Sequence, residues 1–269
     1  MSHSPTNTPI LDRPDVLRVL FHPRREEHPG VARPDIVPLT IPVAPGIALG
    51  ARLYQAGSES PAVLYFHGNG EIAADYDDLA AYYTRLGITL LVADYRGYGT
   101  SSGSPTSTHL LADAVALFGG LESVFRAHVL APSRTYCMGR SLGSAAAVEV
   151  AVHASGRLAG LIVESGLADT FGFLRRAGLP VPGAEEERDG FGSASKLSRV
   201  WAPTLILHGR DDRLIPATDG QEMYRRSAAA DKHLLLIPGA GHNDLMFTGF
   251  TAYFEAIRAL VHGPAAADR

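Results

Sequence analysis

The sequence predicts an α/β fold, a mostly parallel eight-stranded sheet with helices on both faces. Two observations carry this. Short apolar runs alternate along the chain with segments of helical spacing, as repeated strand–helix–strand units require. The runs from residue 62 onward are also apolar nearly throughout, as strands covered on both faces must be. The chain has 269 residues, 46% hydrophobic and 19% charged, a globular balance that can bury a core.

In chain order, Pro5, Pro9, Pro14, Pro23, Pro29 and Pro34 crowd the start. Proline at that density opposes helix and ladder, so 1–35 is expected as an irregular arm and 36–269 as the folded domain. IVPLTI and IALGARLY read as a hairpin around Pro45-Gly46. AVLYFH (62–67) is a buried strand, and 74–86 a helix with Leu79, Tyr82, Tyr83 and Leu86 on one face. ITLLVADY (88–95) is the next strand, followed by a Gly-rich loop to Pro105 and a helix over 107–127. Then come strand TYCMG, helix SLGSAAAVEVAVH and strand LAGLIVES. TLILHG, ATDGQEMYRRSA, HLLLIPG and 243–262 continue as strand, helix, strand, helix. Residues 166–200 break the alternation and are expected to form a small cap inserted into the sheet domain. Their run Glu185-Glu186-Glu187 reads as a solvated face.

Composition narrows the function. The net charge is −4 and no basic block stands out, so neither nucleic acid nor an anionic membrane surface is an expected partner. No stretch approaches roughly 18 consecutive apolar residues, so no transmembrane span is expected. Cys137, the single cysteine, can form neither an internal disulfide nor a cysteine metal site. No His-Glu-x-x-His occurs, and the first residues lack a basic start and an apolar run. The expectation is a soluble, cytoplasmic protein without metal or organic cofactor.

Two serines compete for the motif Gly-x-Ser-x-Gly, of which composition alone would produce roughly 0.2 copies. Gly139-Arg-Ser141-Leu-Gly143 follows an apolar strand and opens an Ala-rich helix, the context of a nucleophile elbow. Gly99-Thr-Ser101-Ser-Gly103 lies in a loop ahead of Pro105. Ser141 is therefore the candidate nucleophile. A serine hydroxyl needs a base, and the base needs a third group to fix its tautomer. His208-Gly-Arg-Asp-Asp212 and Gly239-Ala-Gly-His242-Asn-Asp each follow a strand and supply an acid and a base in order. His67, His208 and His233 sit at or inside strands and read as structural.

Together, Phe66-His-Gly-Asn-Gly70, Asp94-Tyr-Arg-Gly-Tyr-Gly99, Gly139-Arg-Ser-Leu-Gly143, His208-Gly-x-x-Asp212 and Gly239-Ala-Gly-His-Asn-Asp244 resemble the α/β-hydrolase superfamily over roughly residues 60–260. Within it they look like the branch of protein depalmitoylases and their bacterial relatives. The resemblance implies an acid four residues after His208, hence Asp212 rather than Asp211. It also implies an oxyanion hole from the backbone N–H groups of Asn69 and Leu142. The implied function is a serine hydrolase (esterase or thioesterase) acting on a small acyl substrate through Ser141, Asp212 and His242. Glu71, Phe171, Phe173 and Leu174 are candidate pocket residues. The same triad serves peptide, C–C bond or perhydrolase chemistry, since fold and triad do not fix the substrate. More distant readings are a non-catalytic binding module and a dinucleotide-binding oxidoreductase, the latter because Gly68-Asn-Gly70-Glu-Ile-Ala73 fits a relaxed fingerprint with Asp94 ending the next strand.

Overall fold

The computed structural model describes residues 9–27, 33–154 and 156–263. β1 (Val37–Ala44) and β2 (Ile47–Tyr54) form the antiparallel hairpin, turning where Gly46 takes φ +70°. β3 (Ala62–Phe66), β4 (Thr89–Ala93), β5 (Thr135–Arg140), β6 (Gly160–Glu164), β7 (Thr204–Gly209) and β8 (Lys232–Ile237) follow. The sheet order is β1-β2-β4-β3-β5-β6-β7-β8. β2 lies antiparallel to β4, and every pairing from β4 across to β8 is parallel.

Side chains alternate between two apolar layers, which explains why the central strands read as unbroken apolar runs. Leu64 and Phe66 of β3 and Leu91 of β4 join one layer; Val63, Tyr65, Leu90 and Val92 join the other. The first layer takes α1 (Pro14–Leu20), α3 (Ser107–Ala127), α4 (Gly143–His153) and Met223 of α8 (Ala217–Arg226). The second takes α2 (Ala80–Arg85) and α10 (Phe250–His262).

The start of the chain departs from the irregular arm expected for it. Residues 1–8 and 28–32 of that arm lie outside the described residues, but Ile10–Asp12 form a 3-10 turn and Pro14–Leu20 a helix. Pro14 occupies the first helical turn, where its missing N–H is no loss and its fixed φ suits the helix. Val16 and Leu20 are buried, and Asp12 Oδ1 accepts the N–H groups of Ser107 (2.7 Å) and Thr108 (3.1 Å), capping α3 from a distance. The helix expected over 74–86 divides into a 3-10 turn at Ala73–Tyr76 and α2. The closing helix divides into α9 (Leu245–Thr248) and α10 at Gly249, where a β-carbon would meet Ile237 Cδ1 at 2.3 Å.

Between β6 and β7 lie three short helices, α5 (Thr170–Arg176), α6 (Glu186–Asp189) and α7 (Ser193–Leu197). Glu185 and Glu187 are exposed, but Glu186 is not the solvated residue expected of the acidic run. Its carboxylate accepts the N–H and hydroxyl of Thr170 (both 2.8 Å) and the N–H of Gly192 (3.0 Å), tying α5 to the start of α7.

The docked start of the chain gives a direct test. Leu11→Ala should lower stability by about 2–5 kcal/mol, the range for truncating a buried leucine, read as a lower urea midpoint at constant slope. An unchanged midpoint would mean that the segment before α1 is not packed on the body.

Candidate active site

Ser141 sits between β5 and α4 with φ +52°, a left-handed conformation rare outside glycine. The flanking glycines make that turn sterically allowed. A β-carbon on Gly139 would lie 2.2 Å from the Gly143 carbonyl oxygen, and one on Gly143 2.2 Å from that of Phe66. Ser141 N–H donates to Glu164 O (2.8 Å), and the Ser144 hydroxyl donates to Ser141 O (2.6 Å).

The loops after β7 and β8 bring the other two residues to it. The Ser141 hydroxyl donates to His242 Nε2 at 2.9 Å, and His242 Nδ1–H donates to Asp212 Oδ2 at 2.7 Å. A carboxylate can only accept, so it fixes the tautomer that leaves Nε2 free to take a proton. Asp212 Oδ1 accepts the N–H groups of Leu214 and Ile215, both at 2.9 Å. Burial works against this carboxylate, but His208 (3.5 Å from Oδ2), His242 and the Ile215 N–H outweigh it and hold the group well below the usual carboxylate range. Asp211 is exposed, with its backbone N–H on Ala240 O (2.9 Å), and it is Asp212 that His242 meets.

The rival residues have structural employment. Ser101 Oγ accepts Gly50 N–H (2.8 Å) and bonds Asp94 O (3.3 Å), bracing a loop. Asp94 accepts Ala73 N–H (2.8 Å), and Arg96 forks onto Asp113 at 2.6 and 2.7 Å. His208 is buried and bonds Ile215 O (2.9 Å); His233 is exposed beside Asp231.

The loop His67–Gly70 is held from many sides. Tyr95 OH donates to His67 O, His67 Nδ1–H to Gly68 O (2.8 Å), and Gly68 N–H to Glu71 Oε2 (2.8 Å). Asn69 Oδ1 accepts Tyr98 OH (2.7 Å) and His22 N–H (2.8 Å), while Asn69 Nδ2 donates to His22 Nδ1 (2.7 Å). Arg24 Nε donates to Gly70 O (3.2 Å). The backbone N–H groups of Asn69 and Leu142 make no hydrogen bond within the described residues.

A cavity of about 280 Å³ opens over Ser141 and His242, lined by Asn69, Arg140, Leu142, Leu167, Phe173, Leu214, Ile215 and Asn243 and, from the start of the chain, by Val19, Leu20 and His22. Of the four candidate pocket residues only Phe173 lines it. Glu71 is turned away by Arg140, the Gly68 N–H and Tyr76 OH, and borders a separate cavity. Phe171 and Leu174 are buried in the core because α5 packs that face inward. The part played by residues 19–22 had no motif to announce it. Among the described residues no group of three or more His, Cys, Asp or Glu is placed to hold a metal, and no helix is long and apolar enough to cross a membrane.

A family model described as serine aminopeptidase S33 matches residues 57–170 and 193–246. The chain is 33% identical over 211 residues to α/β-hydrolase domain-containing protein aho-3 of Caenorhabditis elegans, covering 77% of this chain and 59% of that one. It is 31% identical over 203 residues to α/β-hydrolase domain-containing protein 17C of Xenopus tropicalis, with coverage of 74% and 61%. An uncharacterised protein of Mycobacterium tuberculosis is 33% identical over 218 residues, with coverage of 79% and 74%. The chain thus spans about three fifths of the length of the first two of these relatives. In fold it is similar to an esterase of Pyrococcus furiosus, with TM-score 0.70 at 17% identity over 88% of this chain and 97% of that one. It is also similar to Est1E of Butyrivibrio proteoclasticus, solved with ferulic acid bound, with TM-score 0.65 at 20% identity over 82% and 98%. The strand order, the family match and these relatives agree with the motifs: the chain belongs to the α/β-hydrolase superfamily, in the branch those motifs resemble.

Proposed function

We propose that the chain is a cytoplasmic serine hydrolase that cleaves a carboxylic ester or thioester of short to medium acyl length through an acyl-enzyme. The hydrogen-bonded relay Ser141–His242–Asp212, beside two backbone N–H groups that find no partner among the described residues, carries this reading. His242 Nε2 takes the hydroxyl proton as Ser141 Oγ attacks the acyl carbonyl. Asp212 stays ionised and stabilises the resulting imidazolium. The Asn69 and Leu142 N–H groups take the developing oxyanion, each worth about 2.7–4 kcal/mol by analogy with known side-chain donors. The imidazolium then protonates the departing alcohol or thiol. Water, deprotonated by the same ring, releases the acid and restores Ser141.

The cavity supports an acyl rather than a peptide substrate. An aminopeptidase must hold a free α-ammonium, and none of the described residues lining the cavity is acidic. Its size, about 280 Å³, lies just below the ~300–1,000 Å³ typical of ligand pockets, which suits a small acyl group. The segment 166–200, read as a cap, supplies Phe173 and Leu167 as wall.

Three outcomes test the reading. A fluorophosphonate should label Ser141 alone, and Ser141→Ala should lose at least ~10³-fold in kcat. An adduct mapped to Ser101 would reject the assignment. Asp212→Asn should cost about 10⁴-fold in kcat through loss of the required tautomer, whereas Asp211→Asn should leave activity within about threefold. The reverse ordering would contradict the loop geometry. Among p-nitrophenyl esters, kcat/KM should rise by up to roughly fourfold per methylene while wall remains, then level or fall beyond ~2–8 carbons. Phe173→Ala should move that optimum to longer chains. A kcat/KM that climbs through palmitoyl esters would instead favour long-chain, depalmitoylase-like substrates.

A further inference from the structure

Arg140 ends β5 immediately before Ser141, and its side chain is 11% exposed. Nη2 donates to the main-chain oxygen of His242 and to Asn243 Oδ1, both at 3.0 Å. Nη1 pairs with Glu71, and Nε donates to Glu164 Oε1 at 3.2 Å. Each carboxylate is held in turn. Glu71 Oε2 accepts Gly68 N–H (2.8 Å) and Tyr76 OH (2.7 Å), while Glu164 Oε2 accepts Tyr253 OH (2.7 Å) and Tyr65 OH (3.3 Å). Glu164 also offers its carbonyl to Ser141 N–H.

One planar cation thus connects the elbow, the loop that carries His242 and, through Glu71, the loop at 67–70. It belongs to the elbow strand, grips the His242 loop directly, and reaches the oxyanion loop through Glu71. An ion pair serving stability alone has no reason to spend two donor contacts on the loop that carries the base. The rigid fork of arginine makes such divergent bonding feasible, which a single ammonium on a shorter reach cannot copy.

We infer that Arg140 is a positioning residue, holding the main chain of His242 so that Nε2 stays within hydrogen-bond reach of Ser141 while Glu71 ties the same cation to the oxyanion loop. The inference rests on the serine-hydrolase reading and adds a part to it. It also reassigns Glu71 from substrate pocket to support.

The test compares wild type, Arg140→Lys and Arg140→Ala. Folded fraction is measured by circular dichroism and thermal unfolding. The reaction is followed as the second-order rate of Ser141 labelling by a fluorophosphonate, and as kcat and KM on p-nitrophenyl butyrate. Arg140→Lys keeps a cation among the buried carboxylates and should fold. Its labelling rate and kcat per folded molecule should fall roughly ten- to a hundredfold, the scale on which an ångström of misplacement acts. Although Arg140 borders the cavity, KM should change less than kcat, since the loss expected is in the alignment of His242 rather than in ground-state binding. Ethylguanidinium should restore part of the labelling rate in Arg140→Ala and leave wild type unchanged. A folded Arg140→Lys that labels and turns over like wild type overturns the inference and leaves the hydrolase reading standing. So does a loss no larger than the loss of folded protein, or a raised KM at unchanged kcat. A wild type that takes no label at Ser141 overturns the hydrolase reading and this inference with it.

Discussion

The left-handed backbone at Ser141 is the constraint on which the rest of the site depends. A non-glycine residue there costs on the order of 1–3 kcal/mol and persists only where its surroundings over-determine it. Here they do. The Ser141 N–H is held by Glu164 O, and its carbonyl takes the hydroxyl and N–H of Ser144 at 2.6 and 3.0 Å. Gly139 and Gly143 let α4 press onto β5 and β3 more closely than any β-carbon would allow. The strained turn lifts the hydroxyl clear of the strand, and the N–H of Leu142 begins the helix beside it.

Around that fixed point the loops are braced rather than free. The loop at 67–70, proposed to hold the oxyanion, is held by Tyr95, Tyr98 and Glu71 from the body and by His22 and Arg24 from the start of the chain. Such bracing keeps donors in place before charge develops, so little reorganisation is needed when it does. The family match begins at residue 57 and leaves out 171–192. It therefore contains Ser141, Asp212, His242 and Asn69 but not Val19, Leu20, His22 or Phe173 of the cavity wall. The hydrogen-bonded Ser141, His242 and Asp212 thus lie in the matched part of the chain, and much of the cavity wall lies outside it.

Much of this was legible in the sequence, for identifiable reasons. Apolar runs marked the central strands because both faces of the sheet are covered there, whereas β1 exposes alternate residues and was legible from the hairpin turn beside it. Gly-x-Ser-x-Gly in a strand-to-helix setting favoured Ser141 over Ser101, and the family resemblance implied Asp212 rather than Asp211; in the structure it is Ser141 and Asp212 that His242 meets. What stayed hidden depends on long-range pairing or on which face a short helix buries. Proline density concealed α1, although Pro14 stands where a helix tolerates it. Glu71 looked free to enter the pocket until Arg140, 69 residues away, was seen to hold it. Phe171, Phe173 and Leu174 were indistinguishable in sequence, yet α5 turns only Phe173 toward Ser141.

The central claim is that elbow and oxyanion loop are built to receive an acyl intermediate before any substrate arrives. The most direct measurement is a high-resolution crystal structure of the protein inactivated by a small alkyl phosphonate ester. A covalent bond from Ser141 Oγ to phosphorus is expected. The phosphonyl oxygen should lie about 2.7–3.1 Å from the N–H groups of both Asn69 and Leu142, with the loop at 67–70 unmoved. An oxygen directed to solvent, or a loop that must rearrange to reach it, would contradict the account.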